Sequence, residues 1–427
     1  MIPPGSRMPA AVQTAWFLRD PAGTFDRLHS RHGPIFTVRY FGFPPEVYVT
    51  TAELAEQVFR TDRGGGLAGA ARRDFLKPMV GSHSVLTLDG DAWSHHRKAL
   101  TPPLRARQVA GYHDEIADIA AEKIATWPLG VPFALRDRIQ EITLEVIIRL
   151  IFGIRDAERL GRLHVLLPRL ITLGGSASVV MLPSHLRGRA AKAPFTPYAR
   201  FLKARATVDA ILYEEIAHRR RTEADGADML SGLLAAGFTD EEIRDELITL
   251  LIAGHETTAT SLAWAFERLL RLPHILERLP DDEEYLDAVV KEVMRLRPAV
   301  YEAPRLLDAP LRLGDYEVPA GWYAGPFIPL VHLDPDAFPE PEKFSPERFL
   351  DGRQSRAWMP FGGGRRFCVG AQLALLEMRV VIREVLHRLD LTAPDPAPEP
   401  RRLTNVTLTP ARLTRVTARA RSLDRTR

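Results

Sequence analysis

Residues 361–370 read Phe-Gly-Gly-Gly-Arg-Arg-Phe-Cys-Val-Gly, and the cysteine near their end, Cys368, is the only one in the chain. A thiolate is a soft ligand suited to iron, and this one stands on a glycine-rich loop just ahead of a helix-forming run. Ionising it requires help, which a metal, Arg365 or Arg366, or the start of the helix after Gly370 can each supply. Gly362, Gly363, Gly364 and Gly370 let backbone approach a flat ligand closely and adopt positive φ. Three other readings compete. A lone cysteine in an intracellular protein is most often an inert buried residue. The Gly-Gly-Gly-Arg-Arg run can cradle phosphate, but no Gly-Lys-Ser/Thr follows it. A catalytic cysteine needs a histidine partner, which spacing alone cannot identify.

The 427 residues are enough for one large core or about two to three ordinary domains. With 45% hydrophobic and 26% charged residues, the composition is that of a globular protein, not a disordered or fibrous one. The net charge of +3 conceals an arginine-rich tail, residues 401–427, which carries +7 and leaves −4 for the rest. A solvated terminus explains that tail more simply than an acidic partner does. No basic face interleaved with aromatics points to nucleic acid. A single cysteine excludes an internal disulfide framework and fits a reducing cytoplasm. The first fifteen residues lack the basic start and apolar centre of a signal peptide, and no run of 18 apolar residues suggests a membrane span.

Along the chain, Thr24 to His32 reads as a short helix stopped at Gly33-Pro34. Ile35–Tyr40 and Glu46–Thr50 read as a hairpin, and Ala52–Phe59 as a further helix. Gly64 to Asp89 shows no period and is expected to be a loop. In Asp-Gly-Asp-Ala-Trp-Ser-His-His-Arg-Lys, Trp93 and Arg97 stand four apart and share a helix face. Residues 111–153 and 200–221 are helical in texture, the first broken by Pro128 and Pro132. The apolar stretch Leu166–Pro197 between them suits either a lid or a plain connection. Thr239-Asp-Glu-Glu242 is a capping box opening a long helix that Pro273 ends. At its middle lies Ala253-Gly254-His255-Glu256-Thr257-Thr258, where glycine and paired threonines weaken the helix and predict a local opening. Asp281–Leu296 is another helix, with Glu292 and Arg295 spaced for an ion pair. Leu311–Val318 and Trp322–Val331 read as strands about Pro319-Ala-Gly321, and Ala371–Leu389 as an amphipathic helix.

The pattern Phe361-x-x-Gly364-x-Arg366-x-Cys368-x-Gly370 resembles the haem-binding loop of the cytochromes P450, matching each of its fixed positions. Other stretches resemble that family in the same order. Trp93-x-x-x-Arg97 looks like the helix that donates an indole N–H and a guanidinium to a haem propionate. The run 253–258 resembles the Ala/Gly-Gly-x-Asp/Glu-Thr-Thr signature, which makes Glu256 and Thr257 the acid and alcohol of proton delivery. Ala253 and Gly254 would leave room for dioxygen, and His255 falls on a free position. Glu292-x-x-Arg295 with Arg348 of Pro-Glu-Arg-Phe resembles a structural network behind the haem. Arg305, after Ala299-Val-Tyr-Glu-Ala-Pro, resembles a further propionate grip.

The resemblance implies a mainly α-helical, single-domain triangular prism with small β-sheets over residues 1–427, with 1–15 and 415–427 as loose ends. It implies haem b, with Cys368 as the axial iron ligand and Phe361, Gly362, Gly364, Arg366 and Gly370 around it. The activity implied is insertion of one oxygen atom from O2 into a C–H or C=C bond of a hydrophobic small molecule, in natural-product metabolism. Electrons would come from NAD(P)H through a ferredoxin reductase and a ferredoxin, the latter docking near Lys98, Arg105 and Arg107. A cytoplasmic monomer is expected. Peroxygenase or rearrangement chemistry, and a haem sensor without turnover, are the rival readings.

Overall fold

The capping box at Thr239 forms as expected: its hydroxyl accepts from Glu242 N–H while the Glu242 carboxylate accepts from Thr239 N–H. From it runs the central helix Asp240–Leu269, 30 residues and about 45 Å long. In this computed structural model, residues 1–421 are described apart from 155, 181, 183, 223–227, 280–281, 353–354 and 405. Pro183, Asp281 and the tail 422–427 therefore lie outside the described residues. Helices Leu135–Val146, Pro197–Thr222, Glu283–Leu296 and Ala371–Arg388 pack around the central helix. Enclosure on every side explains why its sequence carries no single apolar stripe. Its polar side chains are buried and spent on neighbours: Arg244 on Asp209, Glu246 on His96, Thr249 on Ser84, and Trp264 on the Leu408 carbonyl.

The predicted hairpin is the edge of a five-stranded sheet. Ile35–Val38 pairs antiparallel with Glu46–Val49, which runs parallel to Tyr323–Pro326; Arg305–Leu307 and Gly66–Leu67 complete it. A second sheet orders Pro132–Ala134, Arg415–Ala420 and Leu389–Thr392. Residues 415–420 are thus its central strand, not a loose end. At the other end, Gly5 bridges to Thr37 and the helix Ala10–Arg19 begins within the first fifteen residues. Backbone pairing ties down Gly5 and residues 415–420, which composition could not reveal.

Three other expectations change. Residues 64–89 contain the helix Ala70–Val80, whose interior Pro78 hides its period. Residues 311–318 form a tight hairpin turning at Gly314, which has φ 56°, so one strand becomes two. Residues 328–331 are helical, not extended. Leu166–Pro197 begins inside the helix Ala157–Gly174 and continues through the helix Ser184–Lys192, so much of it is helical, which suits a lid and a plain connection alike.

Candidate active site

The loop before Cys368 is shaped by contacts that only glycine permits. A Cβ on Gly363 would stand 2.4 Å from the Phe59 ring, and one on Gly364, at φ 67°, would stand 2.6 Å from Asp62 Oδ2. Gly362 also has positive φ, at 70°. Cys368 N–H donates to the Phe361 carbonyl at 3.1 Å, closing the loop, and the Phe361 ring packs edge-on against Trp358 and Phe367. The helix Ala371–Arg388 starts directly after Gly370. The thiol is exposed although protein surrounds it, so it lines an interior space and not the outer surface. Burial pushes its pKa up, against the Gly370 N–H and the Arg97 guanidinium, which pull it down. Gly370 N–H is thus the donor that tempers the sulfur.

Trp93 and Arg97 lie on the helix Gly90–Leu100, Trp93 buried and Arg97 half-buried. The Arg366 guanidinium lies 4.4 Å and that of Arg365 5.3 Å from the centre of the Trp93 ring, so cations from the cysteine loop cover the indole. Arg366 also holds Asp89 Oδ1 at 2.6 Å and the Leu88 carbonyl at 2.8 Å. Asp89 in turn accepts from Gly69 and Ala70 N–H. It therefore organises the start of helix Ala70–Val80, although it precedes the Trp93 helix in sequence. Arg305 differs from expectation: its donors are occupied by Asp62 and by the carbonyls of Ala303, Pro304 and Gly363. Its place in a buried sheet strand commits it to joining that sheet to the cysteine loop.

Ala253 is exposed in the middle of a helix whose flanking turns are buried, so it too opens on interior space. Gly254 is partly accessible as well, but a Cβ there would come 2.6 Å from Ile147 Cδ1, so the position is not simply open: glycine is also what admits the π-helical turn Ile147–Ile151. Nor does the helix open: it is continuous, with Thr257 Oγ1 donating to the Ala253 carbonyl at 2.6 Å. Packing on all sides holds backbone that is weak in isolation. Glu256 is buried and points away from that space, paired with Arg136 and accepting from Gln140 at 3.3 Å and Thr407 at 3.5 Å. His255 is buried against Thr143 and pushed down to a pKa of about 3, mainly by burial. That is a satisfied core histidine, in line with its free position.

Glu292, Arg295 and Arg348 come together as expected. Glu292 accepts from Arg295 Nε at 2.7 Å, Arg295 Nη2 at 2.9 Å, Arg348 Nε at 3.2 Å and Ser345 N at 2.8 Å. Arg295 also reaches the His332 carbonyl at 2.7 Å. Sequence reading missed Arg136, Gln140 and Thr407 behind Glu256, Asp62 and Asp89 under the arginines, and Arg72. These are long-range partners with no local signal, except that Asp89 before the Trp93 helix looks like a capping residue. Its carboxylate makes no such cap.

The donor set fits a haem. Arg305 and Arg366 have carboxylate partners, whereas Arg97 and Arg72 have none within ion-pair distance among the described residues. Among the described residues the Arg72 side chain bonds only the Ala68 carbonyl, and its pKa is lowered to about 10, first by burial and then by Arg305 and Arg366. Two unpaired cations and the Trp93 N–H, for which the described residues offer no acceptor, suit a group bearing two carboxylates. The lone thiol suits its iron.

The family model "Cytochrome P450" matches residues 3–417. The Mycobacterium tuberculosis (strain ATCC 25618 / H37Rv) protein assigned the name cytochrome P450 135B1 is 38% identical, over 98% of this chain and 92% of its own length. The protein of the same strain assigned the name cytochrome P450 138 is 35% identical over 98% and 97%. A structure of retinoic acid-bound cyanobacterial CYP120A1 superposes with TM-score 0.85 at 25% identity, covering 98% of this chain and 99% of that one. No described helix is long and apolar enough to cross a membrane. A family model spanning almost the whole chain, and relatives alike over their full length, agree with the thiol, the arginines and the Glu292 network: the chain belongs to the cytochrome P450 family.

Proposed function

We propose that this monooxygenase inserts one oxygen atom from O2 into a C–H or C=C bond of a hydrophobic small molecule of the natural-product type, acting as one domain. Haem b, held by a cysteine thiolate in this family, supplies dioxygen activation and oxygen transfer when bound. Cys368 would hold its iron, Gly370 N–H would moderate the sulfur, and Arg97, Arg72 and Trp93 would hold the carboxylates. Arg305 and Arg366 work one step back, fixing the loop on which Cys368 stands.

The observation that carries the oxygen-activating reading is the turn 253–257. Ala253 leaves an interior opening, Thr257 presents a hydroxyl one turn on, and Glu256, its neighbour in sequence, is a buried carboxylate turned away from that opening onto Arg136. A sensor has no use for a buried acid and alcohol at that place. Thr257 already spends its proton on the Ala253 carbonyl, which leaves its oxygen lone pairs to orient a water. Arg136 and Thr407 compete for the Glu256 carboxylate, so delivery through Glu256 requires that pairing to loosen.

Electrons come from NAD(P)H through a ferredoxin reductase and an acidic ferredoxin. Lys98, Arg105 and Arg107 support this, being exposed, next to the Arg97 helix and without acidic partners among the described residues. Reconstitution with both redox proteins and a panel of apolar substrates tests the whole reading. Product should require NAD(P)H, and reduction should slow as ionic strength rises. Thr257→Ala and Glu256→Gln should lower product formed per NAD(P)H by roughly 10-fold or more, with the electrons appearing as hydrogen peroxide. Product that forms equally well without NAD(P)H would identify a peroxygenase instead.

A further inference from the structure

The helix Ala10–Arg19 is turned inside out. Its polar side chains Gln13 and Thr14 are buried, at 4% and 9% exposure, while every exposed residue from 11 to 18 is apolar: Ala11, Val12, Ala15, Trp16 and Leu18. The inversion has a local cause. Gln13 accepts from Arg39 N–H at 3.1 Å and donates to the Met8 carbonyl at 2.7 Å, and Thr14 Oγ1 accepts from Phe41 N–H at 2.9 Å. The helix therefore uses its polar side chains to catch the tip of the hairpin 35–49. That catch fixes Phe41, 64% exposed, beside Thr14 and hence on the side of Leu18, one turn further along. Trp16, 47% exposed, is flanked by the Arg27 guanidinium at 5.8 Å. Of its large apolar side chains Phe17 alone turns inward, packing on Phe25, Tyr40 and Tyr301, so folding accounts for one large apolar side chain of this helix and not for the apolar residues left in water.

The charges around this face select its occupant. Residues 1–45 contain five arginines and two aspartates. Asp20 is taken up by Arg27 and by capping the helix Pro21–His32, while Arg7, Arg19 and Arg39 are exposed with no carboxylate partner among the described residues. Tryptophan, phenylalanine and leucine rimmed by free arginines match the boundary of an anionic bilayer, where rings sit at headgroup depth and guanidiniums bind phosphate. A second copy of the same face would bring like charges together. We propose that the outer face of Ala10–Arg19, with Phe41 and the arginines Arg7, Arg19 and Arg39, docks this enzyme peripherally on an anionic phospholipid surface.

The test uses the haem-loaded full chain and co-sedimentation with vesicles of phosphatidylcholine alone or mixed equally with phosphatidylglycerol, at low and high salt. The protein should sediment with the phosphatidylglycerol vesicles and be released by salt. Trp16→Ser/Phe41→Ser and Arg7→Glu/Arg19→Glu/Arg39→Glu should each lower vesicle partitioning by at least ~10-fold. Both variants should keep the wild-type far-ultraviolet dichroism and carbon monoxide difference spectrum, so that loss of binding is not loss of fold. A wild-type chain that stays in the supernatant with anionic vesicles at low salt overturns the proposal, as does binding that both variants retain. A concentration-dependent dimer abolished by Trp16→Ser/Phe41→Ser, without vesicle binding, would reassign the face to self-association.

Discussion

Replacing Glu292 by glutamine removes one charge at nearly constant volume from the most enclosed ion cluster among the described residues. Glu292 and Arg295 are both 0% exposed and Arg348 is 13% exposed, so solvent cannot take over when the carboxylate is lost. Arg295 would keep the carbonyls of His332 and Lys343, at 2.7 and 3.2 Å, but would have no counterion. Breaking a buried pair in this way costs about 3–5 kcal/mol. The amide oxygen still accepts one bond, which places Glu292→Gln toward the lower end. At about 2.1 cal/mol/K per residue, a 427-residue chain has an unfolding entropy near 0.9 kcal/mol/K, so Tm should fall by about 3–6 °C. Urea unfolding followed by far-ultraviolet dichroism gives the free energy directly. Glu292→Leu/Arg295→Met should lose less than Arg295→Met alone, because no buried carboxylate is left to share Arg348. If Glu292→Gln lies within about 1 kcal/mol of wild type, the cluster is not the electrostatic lock described above.

Cys368→Ser should abolish the thiolate-type band of the reduced carbon monoxide complex, and an unchanged band would mean a different axial ligand. Arg97→Leu should accelerate transfer of haem to an acceptor globin by roughly 10-fold, since Arg97 has no protein carboxylate to release; transfer at the wild-type rate would remove it from the clamp. His332 accepts Met359 N–H at 2.9 Å and donates to the Arg295 carbonyl at 2.8 Å, so only the neutral ring fits, and burial brings its pKa down to about 3. The unfolded chain therefore takes up this proton first, at about pH 6.5, and stability falls as pH drops from there toward 3, by about 1.4 kcal/mol per pH unit. His332→Gln should flatten the stability profile between pH 6.5 and 5 by that amount, measured by urea midpoints in buffers of constant ionic strength, and an identical slope would count against it.

Much of the fold was legible because local rules govern it. The capping box at Thr239 and the Gly33-Pro34 stop rest on contacts only a few residues apart, and the hairpin at 35–49 on pairs no more than 14 apart. The helix Ala70–Val80 was not legible, because Pro78 and two polar arginines blur its period and its burial comes from distant partners. The local opening expected at Gly254 failed for the opposite reason. Propensity marks weak backbone, but Ile147 and the surrounding helices supply the missing support.

The amino-acid sequence by itself determined the metal-binding chemistry only through resemblance. One thiol among glycines left several readings open, and it was the ordered motifs around Trp93, Glu256 and Glu292, short-range patterns legible without the fold, that pointed to a haem thiolate. Only the tertiary structure decided which charges are spent and which are free. Arg305 and Arg366 look like ligand grips in sequence, yet Asp62 and Asp89 neutralise them, while Arg97 and Arg72 have no carboxylate partner among the described residues. The same holds for the outward apolar face of Ala10–Arg19. Pairing and exposure depend on residues brought together from opposite ends of the chain, and no spacing rule encodes that.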